Sequence, residues 1–170
     1  MISPLHKGNR WKALGVAVFL LGLGAMIAET APTWALVNES PSLPRGLYVR
    51  APFGETARGA VVAIPQPDQA QSYLGGLGMP SDVLLLKRVA AFGGDQVCRL
   101  GDRIVTPTRT VRVRQQDGRG VILPGWRGCR RLTADEIFLL GDTASSFDSR
   151  YFGPVPRSRA TGVHWETWTW

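Results

Sequence analysis

Ser40 and Ser42 lie two residues apart in the stretch NESPSLPRGLYVR, Asn38 to Arg50, among prolines and just ahead of a strand-like GLYVR. A serine hydroxyl is a weak nucleophile until a base takes its proton. His6 and His164 are the only histidines, one ahead of the apolar N-terminal run and one in the aromatic tail VHWETWTW. A Ser-His-Asp triad therefore has little to draw on, and His164 reads as a core or surface residue. Lys87 offers another base. It interrupts the apolar run DVLLLKRVAAFGGD, and alternate residues of a strand share a face. Lys87 then lies with Val83, Leu85, Val89 and Ala91, and Arg88 with Leu84, Leu86, Ala90 and Phe92. Both faces are apolar, so two cations sit in the middle of a buried strand. An unpaired buried ammonium is costly. It is relieved by a partner or by a pKa that falls until the group is neutral. Arg88 has only the first route, because guanidinium stays protonated. Lys87 has both, and a neutral lysine is a general base. The plain structural alternative puts Lys87 at a strand end, reaching to water.

A third block, EIFLLGDTASSFDSRYFGPVP from Glu136 to Pro156, runs from a strand into a polar loop. It supplies Asp142 and Asp148 as partners for Arg88 and Arg150, and hydroxyls at Ser145, Ser146 and Ser149. Such composition alone describes a turn. The buried lysine and the serine-bearing turn make it a candidate orienting loop.

These residues need a frame. The 170 residues carry a net charge of +7, with 44% hydrophobic and 19% charged residues, which suits one folded domain. The arginines are scattered, the nearest cluster being Arg127, Arg130 and Arg131, so the charge reads as a solvated or lipid-facing surface and no nucleic-acid partner is expected. Lys7, Arg10 and Lys12 precede the uncharged run of 16 residues from Ala13 to Ala28, about 24 Å as helix. That is slightly short of a bilayer core, and Trp11 and the Thr30–Trp34 stretch complete the span. Residues 1–34 are expected to be a basic cytoplasmic flank and a retained transmembrane helix. The alternative is a cleaved signal peptide with MIAETA as its processing stretch. The basic flank stays cytoplasmic, which places residues 35–170 on the periplasmic side of the inner membrane, with the lipid bilayer as a partner.

That exported part reads as mainly β. Strands are expected over Leu47–Ala51, Ala60–Ile64, Val83–Phe92, Gln96–Arg99, Thr110–Arg114, Gly120–Leu123, Glu136–Leu140 and Gly162–Glu166, with a short helix over Asp68–Leu74. YLGGLGMP lacks the Lys-Ser/Thr of a P-loop. Cys98 and Cys129 lie too far apart for a Cys-x-x-Cys site, so no metal and no cofactor are expected. An oxidising compartment favours a Cys98–Cys129 disulfide; two buried thiols are the other reading.

SPSLPRGLY, LLLKRVAAFGGD and FLLGDTASSFDSRYFGPV together resemble the bacterial type I signal peptidases, and more closely their TraF-type conjugative-transfer branch, which processes pilin precursors. Three blocks occur in order over nearly the whole chain. The resemblance implies a signal-peptidase-like coiled β-sheet or barrel behind one N-terminal membrane helix. It implies a Ser/Lys dyad, with Ser42 of the Ser-x-Pro-x-Gly motif as nucleophile and Lys87 of the Lys-Arg pair as general base. Ser40 and the Ser42 N–H would form the oxyanion hole and Ser146 would orient the lysine, while Arg88, Asp142, Asp148 and Arg150 match the family's structural ion pairs. Ser42-Leu-Pro44 is one residue shorter than the Ser-x-x-Pro of ordinary signal peptidases, as in the TraF-type branch. The loop after Gly141-Asp142 is also shorter, which leaves Ser145 as a rival to Ser146. The expected partner is an exported, propilin-like precursor, and the same acyl-enzyme admits hydrolysis or cyclisation. The alternatives are a general type I signal peptidase and a non-catalytic conjugation or pilus-assembly component on the same scaffold.

Overall fold

Short runs of β-branched and aliphatic residues, each cut off by Gly, Pro or Asp, are too brief to bury themselves as helices and do so by pairing as strands. The structure, a computed structural model, describes residue 12, residues 14–19 and residues 33–170. The chain divides into two units, Met1–Thr33 and Trp34–Trp170. Residue 12 and residues 14–19 are helical. Most of the expected membrane span lies outside the described residues, and among those described no helix is long and apolar enough to cross a membrane.

In the second unit the strands are β1 (Ala35–Asn38), β2 (Gly46–Arg50), β3 (Val61–Ile64), β4 (Leu85–Phe92), β5 (Gln96–Leu100), β6 (Arg103–Val105), β7 (Thr110–Arg112), β8 (Cys129–Arg131), β9 (Glu136–Leu140), β10 (Val155–Pro156) and β11 (Gly162–Thr169). Two helices accompany them, α1 (Asp68–Gly76) and the single turn α2 (Ser149–Phe152). Seven strands form one sheet in the order β1-β2-β11-β3-β4-β9-β10, and four form a second in the order β7-β6-β5-β8. All the pairings are antiparallel. A disulfide joins Cys98 and Cys129, which stand directly opposite each other on β5 and β8. It closes a loop with a sequence separation of 31, a cross-link of about 3–4 kcal/mol by loop entropy.

The large sheet is strongly curled. Four strand spacings separate β2 from β9, about 19 Å if the sheet lay flat. Yet the Asp142 N–H, just past β9, donates to the carbonyl of Ser42, in the loop before β2, at 2.6 Å. Strand twist and two bulges, between Val89 and Ala91 in β4 and between Glu166 and Trp168 in β11, bend the sheet into a half-barrel. Gly46 permits the β2–β11 contact, since a Cβ there would collide with the Trp168 carbonyl. One core, with Val62, Ile64, Leu85, Val89 and Leu139, is covered by Ala70 and Leu74 of α1. Another, with Leu43, Tyr48, Val61, Ala63 and Leu86, lies beneath the serine turn.

Several expectations need correction. Gly120–Leu123 is not a strand, and only the isolated bridge Gln116↔Ile122 forms there. The turn at Gly120 (φ 82°) folds that segment back on itself. Val83 lies outside β4, where its N–H closes a turn on the Pro80 carbonyl. Ala91 does not share the face of Lys87, because the bulge shifts the alternation and pairs it with Phe138. β1, β6, β8 and β10 lacked a local signal. They are two to four residues long, and their pairing partners supply their order.

Candidate active site

The serine turn is built around Asn38, the last residue of β1. Its Nδ2 donates to the carbonyls of Ser40, Leu43 and Pro44, each at 3.0 Å. Its Oδ1 accepts the Ser40 N–H at 3.3 Å and the Ser40 hydroxyl at 2.8 Å. Tyr48 Oη, pushed up to about 12 first by burial, adds a 2.8 Å bond to Pro44 O. Ser40 and Ser42 hydroxyls are 2.7 Å apart. A hydroxyl has one proton, and Ser40 gives its own to Asn38. Ser42 is therefore the donor in that pair, and its N–H also faces Ser40 Oγ at 3.4 Å. In the resting protein both hydroxyls point along a Ser42→Ser40→Asn38 chain. Asn38 is the residue that sequence reasoning overlooked, although an Asn heading a Pro-rich turn is a usable signal. Asn38→Ala would strand three carbonyls, at least one of them buried, and is expected to lower unfolding stability by about 1–3 kcal/mol, read as a lower urea midpoint.

Lys87 is buried, with 5% of its surface exposed. Burial pushes its pKa down to about 8, Asp148 opposing and Arg150 assisting. The like charge that assists is thus Arg150, in the α2 turn that follows β9, rather than a neighbour in sequence. Lys87 pairs with Val62 on one side. On the other, the register Arg88↔Leu140 sets Lys87 opposite Gly141 at the next step. Gly141 explains the crowding there, because a Cβ would collide with the Ser146 hydroxyl and come within 2.8 Å of the Ser42 carbonyl. The curl therefore gathers the turn of Ser42, the register position of Lys87 and the side chain of Ser146 around one glycine. Ser146 is buried and its Oγ has no hydrogen-bond partner among the described residues, whereas Ser145 is exposed beside Thr143.

The ion pairs hold this arrangement from behind. Arg150 and Asp148 are 1% and 0% exposed and pair through two bonds of 2.8 and 2.7 Å. Arg150 also donates to the carbonyls of Arg112, Thr143, Ala144 and Ser146. Asp148 accepts the Gly141 N–H at 2.8 Å and caps α2. Ser149, offered by the sequence only as a hydroxyl, takes the Leu139 N–H at 3.0 Å and so ties β9 to this loop. Arg88 and Asp142 pair at 2.8 Å at the surface, where Arg109 also reaches Asp142 at 3.6 Å. The two cations of β4 thus part: Arg88 turns outward to a carboxylate, and Lys87 stays buried. Among the described residues, no group of His, Cys, Asp and Glu is placed to hold a metal ion.

The family model for "Signal peptidase, peptidase S26" matches residues 9–169. The chain belongs to the signal peptidase family S26 and is of its TraF type. A plasmid transfer protein TraF of Escherichia coli is 29% identical over 99% of this chain and 100% of its own length. A conjugal transfer protein TraF of Agrobacterium tumefaciens is 34% identical over 85% of this chain and 86% of its own. A signal peptidase I structure from Enterococcus faecalis superposes with a TM-score of 0.41 at 21% identity, covering 65% of this chain and 97% of that one. As an S26 member the chain is a signal-peptidase-like peptidase, of the serine type by family, and its relatives belong to conjugal transfer.

Proposed function

We propose that this S26 protein is a membrane-anchored endopeptidase in which Ser42 attacks and Lys87 is the general base, and that its substrate is an exported precursor, a propilin for conjugative transfer. The observation that carries the reading is the meeting at Gly141, where the Ser42 carbonyl and the buried Ser146 hydroxyl converge opposite a lysine whose pKa is pulled down to about 8. A neutral Lys87 takes the Ser42 proton as Oγ bonds to the scissile carbonyl carbon. The carbonyl π electrons move onto oxygen, which the Ser42 N–H and the Ser40 hydroxyl receive. Ser40 must leave Asn38 to do so, and Ser42 must turn from Ser40 to Lys87, so substrate entry re-aims both hydroxyls. Collapse breaks the C–N bond, Lys87 returns the proton to the leaving amine, and water or an amine then opens the acyl-enzyme. Ser146, whose Oγ has no other partner among the described residues, is available to fix the Lys87 amine.

The same reading places the catalytic unit on the periplasmic side of the inner membrane. Its supports are exposed apolar side chains: Leu14, Val16, Val18 and Phe19 beside Lys12 in the first unit, and Trp34, Trp165, Trp168 and Trp170 in the second, with Trp168 71% exposed. Tryptophan is the side chain of membrane interfaces.

An acid-quenched reaction of the purified protein with a purified propilin precursor tests the chemistry. Peptide mass spectrometry is expected to find an acyl adduct on Ser42 and a product either shortened by hydrolysis or closed by aminolysis. An adduct on another residue, or cleavage without one, overturns the assignment.

A further inference from the structure

Away from the serine turn, a groove runs between α1 and the 114–124 hairpin. Two adjoining hollows of about 280 and 410 Å³ share Tyr73, Leu77 and Arg119. The groove is built rather than incidental. Tyr73 Oη donates to Asp117 Oδ2 at 3.1 Å, and Asp117 Oδ1 takes the N–H groups of Arg119 and Val121 at 2.8 and 2.9 Å. Tyr73 stacks on Phe147 at 4.4 Å, and Phe147 on Tyr151 at 5.1 Å. That stack floors the first hollow, whose lining includes Ser145. Its neighbour Ser146 packs on Gly141, so the groove begins one residue from the site.

We propose that this groove is an exosite for the substrate polypeptide, taking an extended segment remote from the scissile bond in which carboxylates alternate with bulky apolar side chains. The inference rests on the peptidase reading of the site. Charge and surface select the occupant. Arg114 and Arg119 line the groove against a single carboxylate, Asp117, which is occupied by Tyr73 and two backbone N–H groups. Leu77, Val121 and Ile122 are 39%, 48% and 76% exposed at its rim. An extended chain presents alternate side chains to opposite sides, so an acidic–apolar alternation meets guanidiniums with one set and the apolar rim with the other. The larger hollow, about 410 Å³, falls within the range of built ligand sites, about 300–1,000 Å³.

The test is fluorescence anisotropy with a fluorescein-labelled dodecapeptide of alternating Glu and Leu, using the full chain carrying Ser42→Ala so that no turnover intervenes. Lys–Leu and Glu–Ser dodecapeptides serve as controls. The Glu–Leu peptide is expected to bind at least tenfold more tightly than either control, to weaken as salt is raised, and to lose tenfold or more with Arg119→Glu or Ile122→Asp. Both positions are exposed, so the variants fold. Equal binding of a control peptide, or variants that bind like the parent, overturns the exosite. A second arm uses active protein: the variants are expected to raise KM for whole precursor with kcat unchanged, and to leave a short peptide spanning only the scissile bond unaffected. Equal loss on both substrates overturns the proposal. If the active protein cleaves neither substrate, the Ser42–Lys87 reading fails, while the binding arm still decides the groove.

Discussion

Lys87→Met is expected to be both inactive and more stable at neutral pH. A general base supplies about 10²–10⁴ in rate, so turnover should fall by at least that factor. Ser42→Ala should fall further, to about 10⁴–10⁶ below wild type, as for nucleophile removal in other serine peptidases. The pH dependence carries the sign. The base must be neutral, so kcat/KM of the wild type rises about tenfold per pH unit up to about pH 8 and levels above it, following the depressed pKa of Lys87. Stability moves with it. Between about pH 8 and 10.5 the unfolded chain holds a proton that the folded chain has released, so stability climbs with pH across that window. Below it, the full cost of the buried ammonium is present, on the order of 3 kcal/mol. Met removes that cost, and the pH-dependent climb disappears with it. Measured kcat/KM and urea midpoints across pH 6–10 check both halves. Retained activity in both variants sinks the dyad, and a Lys87→Met protein that is less stable at pH 7 sinks the burial argument.

Arg150→Met is expected to cost about 3–5 kcal/mol of unfolding free energy, because it leaves the Asp148 carboxylate buried with its cation gone. Asp148 is fully buried and would keep only backbone donors, the N–H groups of Gly141 and residue 150. The same substitution frees four carbonyls, those of Arg112, Thr143, Ala144 and Ser146. The urea midpoint should fall with the slope unchanged. Adding Asp148→Leu should recover part of the loss, since removing both charges relieves the unpaired one. Recovery stays partial because Asp148 also caps α2 and holds Gly141. A midpoint shift below about 1 kcal/mol would mean that the pair does not organise the loop.

The groups of the candidate site were legible in residue types and their order. A cation in an apolar strand, a Pro- and Gly-bound serine turn and a loop with two aspartates and two arginine partners are local patterns, and each states a physical demand by itself. The strands carrying Lys87, Val61–Ile64 and Glu136–Leu140 were legible for the same reason, since alternation and β-branching act over a few neighbouring residues. The matches to TraF proteins cover most of the chain, so family membership was within reach of the sequence.

What the sequence alone determined, then, was which groups are present and which of them cannot rest in water or in oil without partners. Only the tertiary structure decided who those partners are. Arg88 and Lys87 are neighbours in sequence, yet one turns outward to Asp142 and the other stays inside, a split set by the strands on either side of β4. Ser145 and Ser146 are indistinguishable by type; the bonds of Arg150 to the loop carbonyls turn Ser146 inward onto Gly141. The role of Asn38 depends on three carbonyls brought round by the turn, and the bulge at Val89 breaks an alternation that strand periodicity would carry through. Above all, nothing local brings the Ser42 carbonyl to the end of β9, four strands away. That contact comes from the summed twist and bending of a whole sheet, a property of strand order rather than of any stretch of chain.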